Sequence, residues 1–500
     1  MPYFLSSFSP KRPIVSRASW LLAAVLALPL KWPLLVLPGI GRDEAVYVYW
    51  SRQGEPFYAP LLQWALALVR LLPVPELAAI RTLALGVSVL NVYLVDRLLR
   101  EARVSASRRR LAALVFATLP WQMYVGGIVH PDGLFLASLL LFCLFMARGH
   151  LAGAALIGGA IALSKPVGLA LLPVVSWLLV ARSRSRTQAA FLLMLVAVAA
   201  SPVWLNVHPA MLAALSEFGR LSALSPVLLI GLGLGAVVFL GGVLLPIAAM
   251  SGARRVLCTR RRVSRPPDHL PALALAAALL LVFLVAAMLN RQIKGNWILP
   301  ALVLLAIAGR WPMPRWSPWL LSVQLLLSVG LGWAMQHPRI IERLEARFTA
   351  LAAWYVHQAG ERDARLSLVR TWHQRAAEYR SLQPLPAQLL DALERERGGP
   401  VRPRWIVSDD YGLAAQLAFY WRAWSPRIIV PGDGLLVRSI PPPETERLTG
   451  EAVVVALRRC PAQIWPRLKD VQWVGRFAIP GQGVSLALAR AEGRLRSAAP

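Results

Sequence analysis

The sequence predicts a polytopic, all-α membrane bundle followed by a small α/β domain. The 500-residue chain is 57% hydrophobic and 16% charged, with a mean hydropathy of +0.54. This composition is too apolar for a soluble protein of this size. Apolar runs of about 20 residues, long enough to cross a bilayer, recur up to position 336. Beyond that position the chain is more polar, and its apolar runs are short.

The first domain, residues 1–336, is predicted to contain about eleven transmembrane helices. Its first apolar run is longer than that of a secretory signal, so we expect it to remain in the protein as a span. Lys31, near the outer end of this span, is expected to reach toward the headgroups. The predicted spans are 19–37, 77–96, 111–128, 132–147, 150–164, 166–181, 188–205, 226–250, 270–289, 297–309 and 317–335.

Positive charge alternates between the connecting segments and predicts their sides. One set of segments carries 21 Lys and Arg residues, and the intervening set carries six: Arg42, Arg52, Arg70, Arg220, Arg291 and Lys294. By the positive-inside rule the arginine-rich set is cytoplasmic, which places the first loop, 38–76, and the C-terminus outside. The formal net charge of +29 therefore indicates membrane topology rather than nucleic-acid binding. Within the first loop, 59–72 is predicted to be an interfacial helix, because it is too short to span.

The second domain, residues 337–500, is predicted to be a periplasmic α/β domain. Short apolar runs that indicate strands occur at 405–407, 427–430, 452–457 and 484–489, with a helix pattern at 412–421 between the first two. Further helical stretches are predicted at 340–357 and 387–397. We interpret Asp409 and Asp410 as a strand-to-helix turn with a helix N-cap, which is a structural role.

Asp43 and Glu44 lie in the polar, aromatic-rich segment 41–50, directly after the first span. Adjacent carboxylates at the end of a span are costly near hydrocarbon, so they often mark chemistry or transport. They also begin a predicted helix, and a capping or first-turn role would explain them equally well. The two interpretations are compatible, because a helix start also presents a carboxylate at a fixed place.

Asp132 and Lys165 are two further charged residues at predicted outer turns. Asp132 follows His130 and Pro131 in a turn pattern, and a simple turn with an N-cap would account for it. Lys165 interrupts the apolar run 150–181, where a cation needs a partner or a water-filled cavity. Lys165 could snorkel to the surface, but it could also bind an anion such as phosphate.

Arg291 and Lys294 form the most cationic of the predicted outer loops between spans. Positive charge on this side runs against the orientation bias, so an anionic partner is expected. Together with Lys165, these residues would form a basic pocket that faces the same compartment as Asp43. Nearby cations would also keep the Asp43 carboxyl ionised.

Five motifs in this order resemble the C-type membrane glycosyltransferases (GT-C fold) that use polyprenyl-phosphate sugars. These families comprise the protein mannosyltransferases and the lipid A aminoarabinose transferases, families 39 and 83. The similar segments are 43–50, 130–136, 163–165, 294–300 and 407–420, and the resemblance spans about residues 20–430. Two features depart from the family pattern. Residues 57–60 replace a basic residue followed by Pro-Pro, and Val46 stands where the aminoarabinose transferases have Arg.

The resemblance implies an inverting transfer on the periplasmic face of the bacterial inner membrane. The charge pattern places the N-terminus in the cytoplasm. Asp43 would be the general base, and an undecaprenyl-type phosphate would leave from the sugar donor. The implied substrate-binding residues are Glu44, Tyr47, Asp132, Lys165, Arg291 and Lys294. Fixed cations can stabilise a monophosphate leaving group, so neither a metal nor another cofactor is expected. The expected partners are the lipid-linked donor, membrane lipids and an envelope lipid, glycan or protein acceptor, with the protein acting as a monomer.

A transporter or flippase for an anionic lipid-linked substrate is the alternative function. A basic outer cavity and charged residues within the membrane would serve that function as well. The paired acids and the C-terminal domain favour the enzyme.

Overall fold

The computed structural model of the chain consists of a helical bundle and a C-terminal unit built on a five-stranded sheet. It describes residues 19–37, 39–53, 59–205, 241–242, 244–259, 270–288, 298–312, 317–336, 384–408, 410–424, 426–429, 447–456, 468–479 and 482–494. The predicted helix at 340–357 lies outside these residues.

Fourteen α-helices are described before the C-terminal unit. They are α1 (Ser19–Leu35), α2 (Arg42–Gln53), α3 (Pro60–Val69), α4 (Glu76–Glu101), α5 (Ala106–Ala117), α6 (Pro120–Gly127), α7 (Pro131–Arg148), α8 (Leu151–Ser164), α9 (Leu172–Arg182), α10 (Arg186–Leu205), α11 (Leu244–Thr259), α12 (Leu270–Met288), α13 (Ile298–Ala308) and α14 (Ser317–Gln336). A 3₁₀ helix, Pro166–Leu171, connects α8 to α9. The predicted interfacial segment forms α3.

The predicted span 111–128 differs from the structure, because it is divided between α5 and α6. Pro120 is the first residue of α6. Proline has no N–H to continue the preceding helix, but its fixed φ suits a helix start. The chain therefore ends one helix at Ala117 and begins another at Pro120, with two residues between them.

The bundle has an apolar interior and an apolar outer surface. Its buried core includes Phe116, Phe142 and Trp311. Large apolar side chains such as Trp32 on α1 and Met194 on α10 are exposed, which is typical of a surface that faces lipid. Two described helices, α4 and α7, are long and apolar enough to cross a membrane by length and composition. The count of eleven spans stays a prediction.

The C-terminal unit contains a mixed sheet in the order β2-β1-β3-β5-β4. The strands are β1 (Trp405–Ser408), β2 (Arg427–Ile429), β3 (Arg447–Ala456), β4 (Leu468–Ile479) and β5 (Gln482–Arg494). Strand β1 pairs in parallel with β2 and β3, and β5 pairs antiparallel with β3 and β4. Helix α15 (Leu385–Arg397) precedes β1, and α16 (Tyr411–Tyr420) connects β1 to β2. Parallel strands need such a crossover.

A second apolar core joins the first loop to the C-terminal unit. It contains Val48 and Trp50 of α2, Leu62 of α3, Leu417 of α16 and Val453 of β3. Because these side chains share one core, α2 is held between the helical bundle and the sheet.

Candidate functional site

Glu44 fixes where α2 begins. Its carboxylate accepts a hydrogen bond from the Gly41 N–H at 3.1 Å, while the Ala45 N–H donates to the Gly41 carbonyl at 2.8 Å. Gly41 is therefore the N-cap, and Glu44 is the third helical residue that reaches back to it, as in a capping box. Asp43 lies in the first turn rather than at the cap itself. A carboxylate in this turn is stabilised by the positive end of the helix dipole.

Glu44 also attaches α2 to the bundle through a buried ion pair. Its side chain is 0% exposed, lies 2.7 Å from Arg81 Nη1, and accepts a hydrogen bond from the Val129 N–H at 2.8 Å. Arg81 donates further hydrogen bonds to the carbonyls of Gly127 and Gly39. Burial raises the pKa of the Glu44 carboxyl, while Arg81 and the two backbone donors act in the opposite direction. This geometry favours a positioning role for Glu44 over contact with substrate.

Asp43 has a different environment from its neighbour. Successive helical residues point about 100° apart, so the side chains of Asp43 and Glu44 project from α2 in different directions. Asp43 is partly exposed, whereas Glu44 is buried. Of the two acids, Asp43 is thus the more accessible from outside the protein.

Asp132 and Lys165 form a buried ion pair with each other. Asp132 is in the first turn of α7, and Lys165 is the extended residue that ends α8. Their residues are 1% and 5% exposed. His130 Nδ1 lies 3.4 Å from the second Asp132 oxygen. The structure therefore brings two predicted site residues together. Asp132 is an anionic partner of the buried Lys165 ammonium.

Aromatic contacts connect this pair to the helix that carries Asp43. Tyr47 is four residues after Asp43, so the two side chains lie on one face of α2. The Tyr47 ring makes an edge contact with His130, with ring centroids 6.2 Å apart, and Tyr124 contacts the same imidazole at 5.9 Å. His130 contacts Asp132 in turn. A continuous series of side-chain contacts therefore connects the face of α2 that carries Asp43 with Lys165.

Two solved structures share this fold. One is reported as "Crystal Structure of ArnT from Cupriavidus metallidurans in the apo state"; it has 16% sequence identity and a TM-score of 0.56, and the match covers 95% of this chain and 98% of that one. The other is the same protein "bound to Undecaprenyl phosphate", with 16% identity, a TM-score of 0.57 and coverage of 94% and 98%. The chain has a C-type glycosyltransferase fold. No protein-family model matches the chain, and no curated protein matches its sequence.

The structural match confirms, at the level of the fold, the resemblance predicted from the five motifs. ArnT is a lipid A aminoarabinose transferase with the GT-C fold, which belongs to one of the two families named from the sequence. At this identity the likeness concerns the fold alone. The predicted roles of the site residues remain predictions.

Two predicted cations, Arg291 and Lys294, lie outside the described residues. Within the described ranges, no group of three or more His, Cys, Asp or Glu side chains could hold a metal ion. Whether the reaction uses a metal is therefore still a matter of prediction.

Sequence reasoning missed the residues that attach α2 to its surroundings. Arg42 forms an ion pair with Asp410 at 2.5 Å. The Gln416 side-chain amide donates to the Ile40 carbonyl at 2.8 Å, and the Ile428 N–H donates to the Tyr49 hydroxyl at 3.0 Å. Asp410 also caps α16 by accepting from the Leu413 N–H, as predicted. In the sequence, Arg42 is notable only because it precedes two acids. That position does not indicate that its ion-pair partner is the distant Asp410.

Lys31 also differs from its predicted position. It does not reach the headgroups but is fully buried, and its ammonium donates to Ser88 Oγ at 2.6 Å. Ser88 donates in turn to the Gln122 side-chain oxygen at 3.0 Å. A polar pocket between α1, α4 and α6 receives the lysine, which the sequence of α1 alone could not indicate.

Proposed function

We propose that the chain is an inverting glycosyltransferase that transfers a sugar from a polyprenyl-phosphate donor to an envelope lipid, glycan or protein. It would act at the periplasmic face of the bacterial inner membrane. The observation that carries this proposal is the contrast between Asp43 and Glu44. Glu44 is locked into the bundle by Arg81, while the partly exposed Asp43 is held at a fixed place beside it. A general base needs such a position.

In the proposed reaction Asp43 takes the proton from an acceptor hydroxyl. The acceptor oxygen forms a bond to the anomeric carbon as the bond from that carbon to the phosphate oxygen breaks. The electron pair of the broken bond stays on the phosphate, so a polyprenyl phosphate leaves and the anomeric configuration inverts. Asp43 keeps the proton until solvent removes it.

Fixed cations would stabilise the charge on the leaving phosphate. Lys165 is the described candidate, and a phosphate oxygen there would compete with the Asp132 carboxylate for its ammonium. Arg291 and Lys294 would complete the cationic set. Undecaprenyl phosphate as carrier lipid is supported by its presence in the second similar structure.

The test is to restore a deletion strain with the wild-type chain or Asp43→Asn and to identify the missing product by mass spectrometry of envelope lipids and glycans. Loss of a general base should lower transfer about 10²- to 10⁴-fold in the purified enzyme. The unfolding midpoint should stay near that of the wild type, because Glu44 rather than Asp43 makes the buried ion pair with Arg81. Asp391→Asn, on an exposed face of α15, is the matched control. Full product from Asp43→Asn would refute the base assignment.

A transporter of an anionic lipid-linked substrate is the second candidate function. The chain of hydrogen bonds from Lys31 through Ser88 to Gln122 favours it, because polar groups within a bundle can line a transport route. Reconstituted vesicles distinguish the two functions. Movement of a lipid-linked sugar between leaflets, without formation of a glycosylated product, would refute the enzyme function and support the transporter function.

A further inference from the structure

A cavity of about 720 Å³ lies between the end of α2, the turn before α4 and the C-terminal unit. Its charged lining residues are Arg52, Arg70, Glu76, Arg422 and Arg427. Four guanidinium groups face a single carboxylate among these residues, which leaves a formal charge of +3. A cavity of this size is within the range of small-ligand sites, roughly 300–1,000 Å³.

Aromatic rings and one carboxylate hold the arginines in place. Arg52 is paired with Glu76, and Arg422 Nη1 lies 3.8 Å from the same carboxylate. The guanidinium groups of Arg52 and Arg422 lie 5.4 and 5.6 Å from the centre of the Phe419 ring. Such stacking orders a guanidinium without neutralising it. The cavity is therefore cationic in a fixed geometry.

Arg70 and Arg427 complete the cationic lining. Arg70 donates to the Ser51 carbonyl at 2.9 Å, but its buried Nε has no hydrogen-bond acceptor among the described residues. Burial lowers the pKa of the Arg70 guanidinium; Glu76 opposes this effect and Arg52 adds to it. Arg427 lies 6.0 Å from the centre of the Trp405 ring. A buried donor without an acceptor is costly, so an anion that supplied one would be favoured.

We propose that this arginine cavity is a binding site for an oxyanion, either a phosphate or a carboxylate group, separate from the site at Asp43. Arginine forks match the planar, multidentate geometry of such groups. Arg52 follows Asp43 by nine residues on the same helix, so the two sites are about 14 Å apart along its axis. The group could belong to the headgroup of an anionic phospholipid or to an anionic glycan. Its binding would hold α2 against the C-terminal unit.

The first experiment uses the purified full chain in detergent with inorganic phosphate as the probe. Thermal unfolding is followed as phosphate replaces chloride at constant ionic strength. We expect saturable stabilisation in the wild type. Arg70→Gln or Arg427→Gln should raise the apparent dissociation constant about tenfold or more, the scale of one charged hydrogen bond. Arg402→Gln, an exposed arginine of the same unit, should bind like the wild type.

A second set of measurements identifies the source of the oxyanion. The wild type and Arg427→Gln are placed in nanodiscs of phosphatidylglycerol or of phosphatidylcholine. Stabilisation by phosphatidylglycerol that Arg427→Gln loses would assign a lipid headgroup, and equal behaviour in both lipids would assign a glycan or soluble anion. Phosphate stabilisation that is absent, or equal in the wild type and both Gln variants, would overturn the site. Arg427 is exposed and its variant should fold even if Arg70→Gln does not. None of these measurements depends on sugar transfer.

Discussion

Two carboxylates that are adjacent in the chain have different environments in α2. Glu44 is paired inside the protein with Arg81 and two backbone N–H groups, while Asp43 remains accessible at the start of the helix. The proposed general base has to be reachable by an acceptor, whereas an acid that positions the helix has to be enclosed. The packing around α2 meets both requirements with consecutive residues.

Arg81→Met should destabilise the protein strongly, because it leaves the Glu44 carboxylate buried without its cation. We expect a loss of about 3–5 kcal/mol in the free energy of unfolding, measured by denaturant titration in detergent. Arg148→Met is the matched control, since Arg148 pairs with Glu101 on the surface, with 30% and 35% of the two side chains exposed. That change should cost less than about 1 kcal/mol. Equal losses would contradict the anchoring role of Glu44.

The Asp132–Lys165 pair allows the structural and the phosphate-binding roles of Lys165 to be separated. Lys165→Met alone should destabilise the protein, because it leaves Asp132 buried and unpaired. The double change Asp132→Asn/Lys165→Met removes both charges and should recover most of that stability. If Lys165 also binds the donor phosphate, the affinity of the double variant for the polyprenyl-phosphate donor should remain low although its stability recovers. Donor affinity that recovers along with stability would leave Lys165 with a structural role alone.

Helix α2 depends on its contact with α16. A Cβ atom at Gly412 would overlap the Arg42 side chain, which is already fixed by its ion pair with Asp410. The close approach explains why this position in α16 has no side chain.

Gly412→Ala should therefore displace Arg42 and loosen the start of α2. We expect faster hydrogen exchange of the α2 amides and a lower rate of sugar transfer, since Asp43 is the next residue. Gly399→Ala is the matched control, because nothing lies within 4 Å of an added Cβ there. Arg42→Ala combined with Gly412→Ala should be less disruptive than the sum of the single changes. Additive effects would show that the two positions are independent.

The helices of the bundle were predictable from the sequence where a long apolar run marks each of them. The chain interruption at Lys165 was placed correctly, since a lysine and a proline end the run. The break at Pro120 was missed, because apolar residues continue on both sides of it. Strand β4 was missed for another reason: Gln472, Trp473 and Arg476 are exposed, so the strand lacks the short apolar run that identified the others.

The candidate site was predictable as a set of residue types but not as a set of partners. Asp43, Asp132 and Lys165 were found because each is a charge at the end of an apolar run. Their contacts depend on residues far away in sequence, such as Arg81 for Glu44 and Asp410 for Arg42. Local patterns contain no information on which distant side chain completes an ion pair.

The predicted topology of the whole molecule can be tested by cysteine labelling. In a variant without Cys143, Cys258 and Cys460, single cysteines replace Ser107 or Arg402, both exposed. A membrane-impermeant maleimide added to intact cells should label Arg402→Cys but not Ser107→Cys, because the arginine-rich segment after α4 is predicted to be cytoplasmic. Both should react after permeabilisation. Labelling of Ser107→Cys in intact cells would show that the orientation in the membrane is opposite to the predicted one.

Three consecutive residues at the start of α2 face three different directions. Arg42 binds the C-terminal unit, Asp43 is accessible and Glu44 enters the bundle. Each residue turns a helix by about 100°. Inserting or deleting one residue between Gly41 and Ala45 would therefore separate Arg42 from Asp410 or Glu44 from Arg81. We therefore expect evolution to have kept the spacing of this triplet unchanged even where the surrounding loop varies in length. That spacing, rather than the identity of any one acid, would then be the feature by which distant homologues of this chain are recognised.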